Sequence, residues 1–343
     1  MNVWKRMKHN TTNKTGIVIA LAWPQTWCRQ ANSWYDKILY ITGINKNHFY
    51  RAGHSALVLI KKETGKCYYF DFGRYHAPFN YGRVRSALTD HDLTIPFCAN
   101  LSGNGKEIDN YEKILHFLQK NISCHGNGTL YASYAEIDFE AAFAKARDMQ
   151  KNSPIIYGPF VKGGTNCSRF TYSVILAGKP PIQNLWKLKY LMPFTPSPMS
   201  NVKALGHQKS VTLLQPWEHF HPKKRLTIKE RSSTLIAPTR HPSIPDKSAW
   251  IAGEGAGSWF HFEKINSRLF HITRYAVDGM TECQSEFELE GKQDFKIHKD
   301  FSLDYLSHCQ QVIAIQDEKK FFFRKLQSKP VKNRKLSYMK TEN

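Results

Sequence analysis

The sequence predicts an α+β N-terminal domain joined to a small all-β C-terminal domain. Strand and helix patterns follow one another over residues 16–192. Eight of the sixteen prolines then lie from Pro193 to Pro245, a density that does not sustain long helices. Beyond Ser248, short strand patterns are separated by turn residues such as Asp278-Gly279, which is typical of an antiparallel sandwich or barrel.

These patterns divide the chain of 343 residues into two domains and three flanking segments. The expected order is a flexible basic arm, an α+β domain with an antiparallel sheet and packed helices, a Pro-rich connector, a small antiparallel β domain and a basic disordered tail. We place these segments at residues 1–15, 16–192, 193–247, 248–327 and 328–343.

Within the first domain, the apolar run Gly16–Ala22 predicts a buried strand. Strands at HSALVLI and CYYFDF predict a hairpin around KKETGK. Apolar residues at helical spacing, among them Trp34, Ile38 and Ile41, predict a helix over Ala31–Thr42. Two further helices are predicted near Ile108–Ile122 and Phe139–Gln150.

The net charge of +21 favours an anionic partner such as nucleic acid, a membrane surface, a cell-wall polymer or an acidic substrate. No block of lysines interleaved with aromatic residues marks a specific nucleic-acid interface. Seven cysteines, an odd number without a CxxC pair, argue against a disulfide framework and a zinc ribbon. Reduced thiols, and hence a cytoplasmic location, are expected.

No transmembrane segment is predicted. The apolar run near the N-terminus is only about nine residues long, whereas a spanning helix requires about 18 or more. We interpret this run as a buried strand and not as a signal peptide, because Trp23 and Pro24 close it and no small-residue cleavage site follows.

The segment GGTNCSRFTYSVILAG predicts a helix that begins at a cysteine. Asn166 is a favoured N-cap residue, and Gly178 is a typical helix stop. Cys167 then lies at the helix N-terminus, whose positive end stabilises a thiolate. This position makes Cys167 the candidate nucleophile.

A histidine and a carboxylate complete the candidate catalytic set. His54 begins the first strand of the predicted hairpin, and Asp71 lies on the partner strand. If the turn is centred between Thr64 and Gly65, the Asp71 side chain points to the same face as His54 but lies about two strand steps away. His54 would accept the proton of Cys167, and Asp71 would orient the imidazole. Backbone N–H groups of Cys167 and Ser168, supported by Asn166, would form part of an oxyanion hole.

Several alternatives remain open at this point. Cys28 also precedes a predicted helix, and Cys28, His54 and Asp71 would form a second possible set. Tyr75 and His76 compete with Asp71 for the third position. Asp71 could equally form a structural ion pair with an arginine.

The segment FDFGRYHAPFNYGRVR carries the candidate substrate-binding residues Arg74, Tyr75 and Arg83. Guanidinium groups on a rigid loop suit a carboxylate or phosphate, although structural ion pairs would also explain them. His219 and His221, with His207 or His241, are interpreted as part of a solvated loop. We therefore predict no metal site and no cofactor.

These residues resemble a known family. The order of a histidine strand, a polar residue on the next strand and a late Asn-Cys at a helix start resembles the circularly permuted NlpC/P60 papain-like superfamily. Its lecithin retinol acyltransferase-like members have an NC-x-x-F signature, which is similar to Asn166, Cys167 and Phe170. The whole chain, including AWPQTW, YFDFGRYHAPFNYGRVRS and YGPF, also resembles an uncharacterised domain family of Bacteroidota proteins.

The resemblance implies a papain-like fold for the first domain and a cysteine hydrolase or acyltransferase that forms a thioester acyl-enzyme on an amide or ester. Peptides, small amides and lipid-like molecules are the expected substrate classes. The alternatives are a catalytically inactive binding or scaffolding protein for an anionic ligand, and a lipid acyltransferase or phospholipase that uses the same site. The β domain is expected to position a substrate or partner.

Overall fold

The computed structural model describes residues 14–30, 36–212, 237–253, 257–291 and 294–326. They form a mixed α+β first domain and a separate all-β, barrel-like second domain, which confirms the predicted fold class. The predicted N-terminal arm lies almost entirely outside these ranges, as do the basic tail and the candidate loop histidines His219 and His221.

The α-helices within the described residues are short and belong to the first domain. They are α1 (Asp36–Ile41), α2 (Tyr111–Lys120), α3 (Phe139–Lys151), α4 (Cys167–Ala177), α5 (Ile182–Tyr190) and α6 (Pro198–Ala204). The strands of the first domain are β1 (Gly16–Trp23), β2 (Cys28–Arg29), β3 (Asn45–Lys46), β4 (Phe49–Tyr50), β5 (His54–Lys61), β6 (Cys67–Gly73), β7 (Tyr81–Ser86), β8 (Leu130–Ile137), β9 (Ile155–Ile156) and β10 (Gly206–Val211). No described helix is long and apolar enough to cross a membrane.

The main sheet of the first domain is antiparallel, with the strand order β10-β8-β1-β5-β6-β7-β9. All eight residues of β1 are buried, because both faces of the sheet are covered. Ile17, Ile19 and Leu21 enter a core shared with α2, whereas Val18 and Ala20 enter a second core shared with α3 and α4. The continuous apolar run of the sequence thus reflects a strand with two buried faces.

The second domain is built from one antiparallel sheet of seven strands. Its strands are β11 (Ala249–Ile251), β12 (Ser258–Lys264), β13 (Leu269–Tyr275), β14 (Thr281–Leu289), β15 (Ser302–Leu303), β16 (Gln311–Gln316) and β17 (Lys319–Lys325). They pair in the order β11-β12-β13-β14-β17-β16-β15, and the end strands β11 and β15 approach each other. Phe262, Phe270, Phe295 and Phe323 form the centre of its core through edge-on and tilted ring contacts.

The helix predicted over residues 31–42 is described from Asp36 to Ile41, where Ile38 and Ile41 are exposed. The predicted bounds of the connector require correction. Part of the predicted connector belongs to the first domain, because α6 packs against β1 and β10 adds an edge strand beside β8. A proline is compatible with α6 because Pro198 occupies its first turn, where the missing N–H has no helical partner.

The two domains contact each other through a buried charged cluster. Arg274 on β13 is 2% exposed, and its Nε lies 2.7 Å from Glu282 Oε2 on β14. Its Nη2 lies 3.3 Å from Asp90 Oδ1 of the first domain. Asp90 also accepts two hydrogen bonds from Arg83, at 2.9 and 2.7 Å. A polar network of four side chains therefore crosses the domain boundary.

Candidate active site

The start of α4 has the local structure that the sequence predicts. The Asn166 side chain accepts a hydrogen bond from the backbone N–H of Arg169 at 2.8 Å, and Gly178 caps the other end. Phe170 and Val174 are fully buried in the core. The helix is therefore anchored along its length, and Cys167 is held at its N-terminus, where the helix dipole favours an anionic sulfur.

The hairpin of β5 and β6 places the other two candidate residues. Asp71 pairs with Ala56, so it lies two residues along the strand from the position opposite His54 and on the same face of the sheet. The connecting turn is centred one residue earlier than a turn between Thr64 and Gly65, and this shift brings Asp71 closer to His54. His54 Nε2 lies 3.5 Å from Asp71 Oδ2.

The thiol and the imidazole meet across α4 and β5. Cys167 and His54 line the same cavity, and both His54 and the backbone N–H of Ser55 lower the pKa of the Cys167 thiol. Trp23, which pairs with His54 across β1 and β5, stacks on the imidazole with a centroid distance of 5.8 Å. The structure therefore brings Cys167, His54 and Asp71 together in one chain of contacts.

Asp71 is fully buried and is held by an arginine and a tyrosine. Arg85 Nε donates to Oδ1 at 3.0 Å, and Arg85 Nη2 donates to Oδ2 at 2.5 Å. The Tyr69 hydroxyl also donates to Oδ2, at 3.1 Å. The contact with His54 is longer than these three, so Asp71 acts on the imidazole mainly through its charge. Asp71 therefore forms a structural ion pair with Arg85, as the alternative interpretation of the sequence allowed, and the same carboxylate also faces His54.

The electrostatics of the site favour a charged thiolate–imidazolium pair. Burial opposes protonation of His54, but its contacts with Asp71 and Cys167 outweigh this effect and raise its pKa to about 9. Burial likewise opposes ionisation of Cys167, but the contact with His54 and the Ser55 N–H outweigh it, and the pKa of the thiol is lowered. Burial also disfavours the Asp71 carboxylate, yet Arg85 and His54 keep its pKa below its usual range.

Cys167 and His54 open onto a cavity of about 470 Å³. Arg74 and Tyr75, two of the predicted substrate-binding residues, line it as well. The Arg74 guanidinium lies 4.9 Å from the centre of the Tyr157 ring, which also lines the cavity. The remaining wall is mixed, with apolar, amide and imidazole side chains that include Trp27, Phe49, Asn127 and His125.

Cys28, the rival nucleophile, lines the same cavity but has a different environment. It lies on β2 and not at a helix start, and its sulfur contacts the Gly53 carbonyl at 3.7 Å. Burial raises the pKa of Cys28 to about 12, and the neighbouring Cys167 adds to this effect. A thiol with such a pKa is almost entirely protonated at neutral pH.

Arg83, the third predicted substrate-binding residue, does not reach this cavity. Its guanidinium is directed to the domain boundary, where it binds Asp90, the Tyr75 carbonyl at 2.9 Å and the His76 ring at 2.7 Å. His76, one of the competitors for the third catalytic position, also points there and contacts Ser258 at 2.7 Å. Both residues therefore have structural partners away from Cys167.

Asn166 and Ser168, the two residues predicted to support an oxyanion hole, make different contacts near Cys167. The Asn166 side chain is engaged as the helix cap, so its part at this site is to hold the first turn of α4. Ser168 is 2% exposed, its hydroxyl lies 3.9 Å from the Cys167 sulfur, and its carbonyl accepts a hydrogen bond from Asn201 at 2.9 Å. The backbone of the first helical turn, and not these side chains, is the part available to an oxyanion.

Three residues near the site make contacts that the sequence did not predict. Trp23 stacks on His54, Arg85 neutralises Asp71, and His125 stacks on Tyr75 with a centroid distance of 4.8 Å. The alternation of side chains along β7 could have indicated Arg85 as a buried arginine, because Arg83 and Arg85 lie on the same face of that strand. Trp23 was detectable only through its register with His54.

A thiol at a helix start, next to an imidazole on an antiparallel strand, is the arrangement that a cysteine nucleophile requires. Residues 18–182 match the family model described as type VI secretion system effector TseH-like, and residues 248–326 match the model of the DUF6695 C-terminal domain. The predicted Bacteroidota source stays a prediction.

Among solved structures, the chain is similar to the type VI secretion system effector TseH, with 18% sequence identity and a TM-score of 0.36. The similarity covers 56% of this chain and 88% of the TseH chain. No curated protein matches the sequence at a significant level.

Proposed function

We propose that this protein is a cysteine-dependent hydrolase or acyltransferase that acts on an amide or ester. The observation that carries the proposal is that Cys167, at the start of α4, and His54 line one cavity, with Asp71 Oδ2 3.5 Å from the His54 imidazole. The match of residues 18–182 to a type VI effector family supports an effector role for the same domain.

The reaction follows from the positions of these groups. The Cys167 thiolate attacks the carbonyl carbon, and the resulting oxyanion lies at the positive N-terminus of α4. The His54 imidazolium then donates its proton to the leaving amine or alcohol as the thioester forms. Neutral His54 afterwards accepts a proton from water or another acceptor, which attacks the thioester and releases the acyl group. Asp71 stabilises the charged imidazole throughout.

The residues that line the cavity favour a substrate with a negative charge near the scissile bond. Arg74 and Tyr75 line the wall beside the thiol, and a guanidinium on an aromatic ring is well placed to bind a planar carboxylate. A carboxylate-bearing peptide or amide is therefore the substrate class that we propose first.

Reaction with iodoacetamide across pH, followed by peptide mapping, tests the nucleophile. We expect Cys167 to react with an apparent pKa well below the ordinary thiol value of about 8.5. The variant Cys28→Ala should keep this reaction, Cys167→Ala should lose it, and Cys98→Ala serves as the control for an exposed thiol. Preferential labelling of Cys28, or an ordinary thiol pKa for Cys167, would contradict the proposal and favour the inactive binding protein.

An activated ester tests turnover without knowledge of the natural substrate. Incubation with p-nitrophenyl acetate should give an initial burst of p-nitrophenol and an acetyl adduct on Cys167 that water removes. The same adduct is expected in Cys98→Ala. A protein that labels normally but never forms or releases the adduct would be a reactive thiol protein and not a hydrolase.

A lipid-like substrate is the second candidate, favoured by one surface feature. Trp186 and Tyr190 of α5, together with Leu191 and Phe194, are exposed large hydrophobic residues, and Lys187 and Lys189 lie among them. Aromatic and lysine side chains in one segment are typical of contact with an anionic membrane surface. Binding to anionic liposomes that is lost at high salt, together with release of fatty acid, would support this candidate.

A further inference from the structure

We propose that His91, Cys283 and Cys309 form a zinc site between the two domains. His91 begins a short 3-10 turn of the first domain, whereas Cys283 lies on β14 and Cys309 in the loop before β16. One ligand atom from each residue lies within 4.8 Å of the other two. The proposal is independent of the reaction at Cys167.

The spacing of these atoms suits a zinc ion after a small contraction. Zinc–sulfur bonds of about 2.3 Å and zinc–nitrogen bonds of about 2.0 Å in a tetrahedral site separate neighbouring ligand atoms by roughly 3.5–3.8 Å. Two thiolates and an imidazole form a donor set that zinc prefers over magnesium or calcium. Within the described residues the group has three members, which leaves the fourth position to water.

The site is buried, and its charge is balanced. Cys309 is 1% exposed and Cys283 is 7% exposed, so a net charge at the site would be costly. A zinc ion with two thiolates and a neutral imidazole has no net charge. Arg274, which pairs with Cys283 across β13 and β14, is already neutralised by Glu282 and Asp90. The metal therefore fits without an additional counter-ion.

Surrounding contacts restrain two of the three ligands, Cys309 and His91, across the domain boundary. The backbone N–H of Cys309 donates to the Thr89 carbonyl at 3.1 Å, two residues before His91. The Gln310 side-chain amide lies 2.9 Å from His91 Nε2; with its oxygen turned to accept the Nε2–H, it restrains the imidazole and leaves Nδ1 for zinc. Such contacts by neighbouring polar groups are usual for metal-binding histidines. A zinc ion would then cross-link the first domain to the β domain.

Metal analysis of the full chain, purified in reducing buffer with added zinc and then desalted, tests the site. We expect about one zinc per chain in the parent protein and a loss of roughly tenfold or more in His91→Gln, Cys283→Ser and Cys309→Ser. Cys98→Ser, an exposed thiol, and Cys124→Ser, a buried thiol elsewhere, are the matched controls and should retain the metal. Cobalt in place of zinc should give a thiolate-to-metal charge-transfer absorption that the three variants lose.

Alkylation of the parent protein keeps the test decisive if a variant fails to fold. Bound zinc should protect Cys283 and Cys309, but not Cys98, from iodoacetamide, and a chelator should remove the protection. Absence of stoichiometric zinc in the folded parent protein would overturn the proposal. Retention of zinc by the Cys283 and Cys309 variants, or a disulfide between these two residues in reducing buffer with zinc, would do so as well.

Discussion

Arg85 binds both carboxylate oxygens of Asp71, at 3.0 Å and 2.5 Å, while the same carboxylate faces His54 at 3.5 Å. Both residues of this ion pair are almost completely buried. The pair holds Asp71 ionised in the core of the first domain, next to the imidazole that contacts Cys167. A structural ion pair and a candidate catalytic contact thus share one side chain.

We predict that Asp71→Asn weakens both the fold and the reaction. It leaves the buried Arg85 guanidinium without a counter-charge, so the free energy of unfolding should fall by about 3–5 kcal/mol. Hydrolysis of the activated ester should fall by roughly 10²- to 10⁴-fold, because the imidazolium loses its stabilising charge. Urea denaturation and ester hydrolysis, both at a temperature where the variant is folded, measure the two effects.

Tyr69→Phe provides the comparison for Asp71→Asn. It removes one hydrogen bond to Asp71 but leaves both charges in place, so a smaller destabilisation of about 1 kcal/mol is expected. A folded Asp71→Asn variant with unchanged hydrolysis and an unchanged His54 pKa would show that Asp71 has only a structural role.

The pH dependence of hydrolysis should be bell-shaped with an alkaline limb near 9. The raised pKa of His54 keeps its proton available to the leaving group up to about pH 9, and deprotonation above this value stops the reaction. The acidic limb should lie below the ordinary thiol range, because the pKa of Cys167 is lowered. Alkylation, in contrast, should persist above pH 9, since it needs only the thiolate.

The variant His54→Gln tests whether His54 is the group that lowers the pKa of the Cys167 thiol and so sets the acidic limb of the pH profile. Without the imidazolium, burial dominates, and the pKa of the Cys167 thiol should rise, so alkylation at pH 6–7 should become at least about tenfold slower. Unchanged alkylation at this pH would mean that another group, and not His54, activates the thiol.

The cap of α4 should matter for activity as well as for stability. Asn166→Ala removes the hydrogen bond to the Arg169 N–H and should destabilise the protein by about 1 kcal/mol. It should also slow alkylation of Cys167, because the first helical turn loses its defined geometry. Thermal denaturation and the alkylation rate are the two measurements.

Asp138→Ala is the matched variant for Asn166→Ala. Asp138 caps α3 by accepting a hydrogen bond from the Ala141 N–H at 3.1 Å and does not line the cavity. It should cost a similar amount of stability, yet leave the reactivity of Cys167 unchanged. Equal effects of both variants on alkylation would assign the Asn166 effect to general destabilisation.

The buried arginine at the domain boundary should contribute strongly to stability. Arg274→Met leaves Glu282 without its buried partner and weakens the contact to Asp90, so we expect a loss of about 3–5 kcal/mol. Arg268→Ala removes an exposed ion pair with Glu288 on the same sheet and should change stability by less than about 1 kcal/mol. Similar losses in the two variants, measured by urea denaturation, would contradict this assignment.

The sequence by itself determined those features that depend on short segments. The apolar run of β1, the hairpin of β5 and β6, and the capped helix that begins at Cys167 follow from local periodicity and capping, and the structure contains all three. The division into an α+β domain and an all-β domain follows from the same patterns. His54 and Cys167 were identified as candidates because each occupies a recognisable position at the end of an element.

Only the tertiary structure decided which partners meet. Arg83 and Arg85 share one strand face, yet one binds Asp90 at the domain boundary and the other binds Asp71 at the candidate active site. Cys28 and Cys167 reach one cavity, but burial raises the pKa of the first, whereas contact with His54 lowers that of the second. His91, Cys283 and Cys309 come together only when the domains dock. Ion pairs and ligand clusters depend on distances between remote segments, and local sequence patterns do not specify those distances.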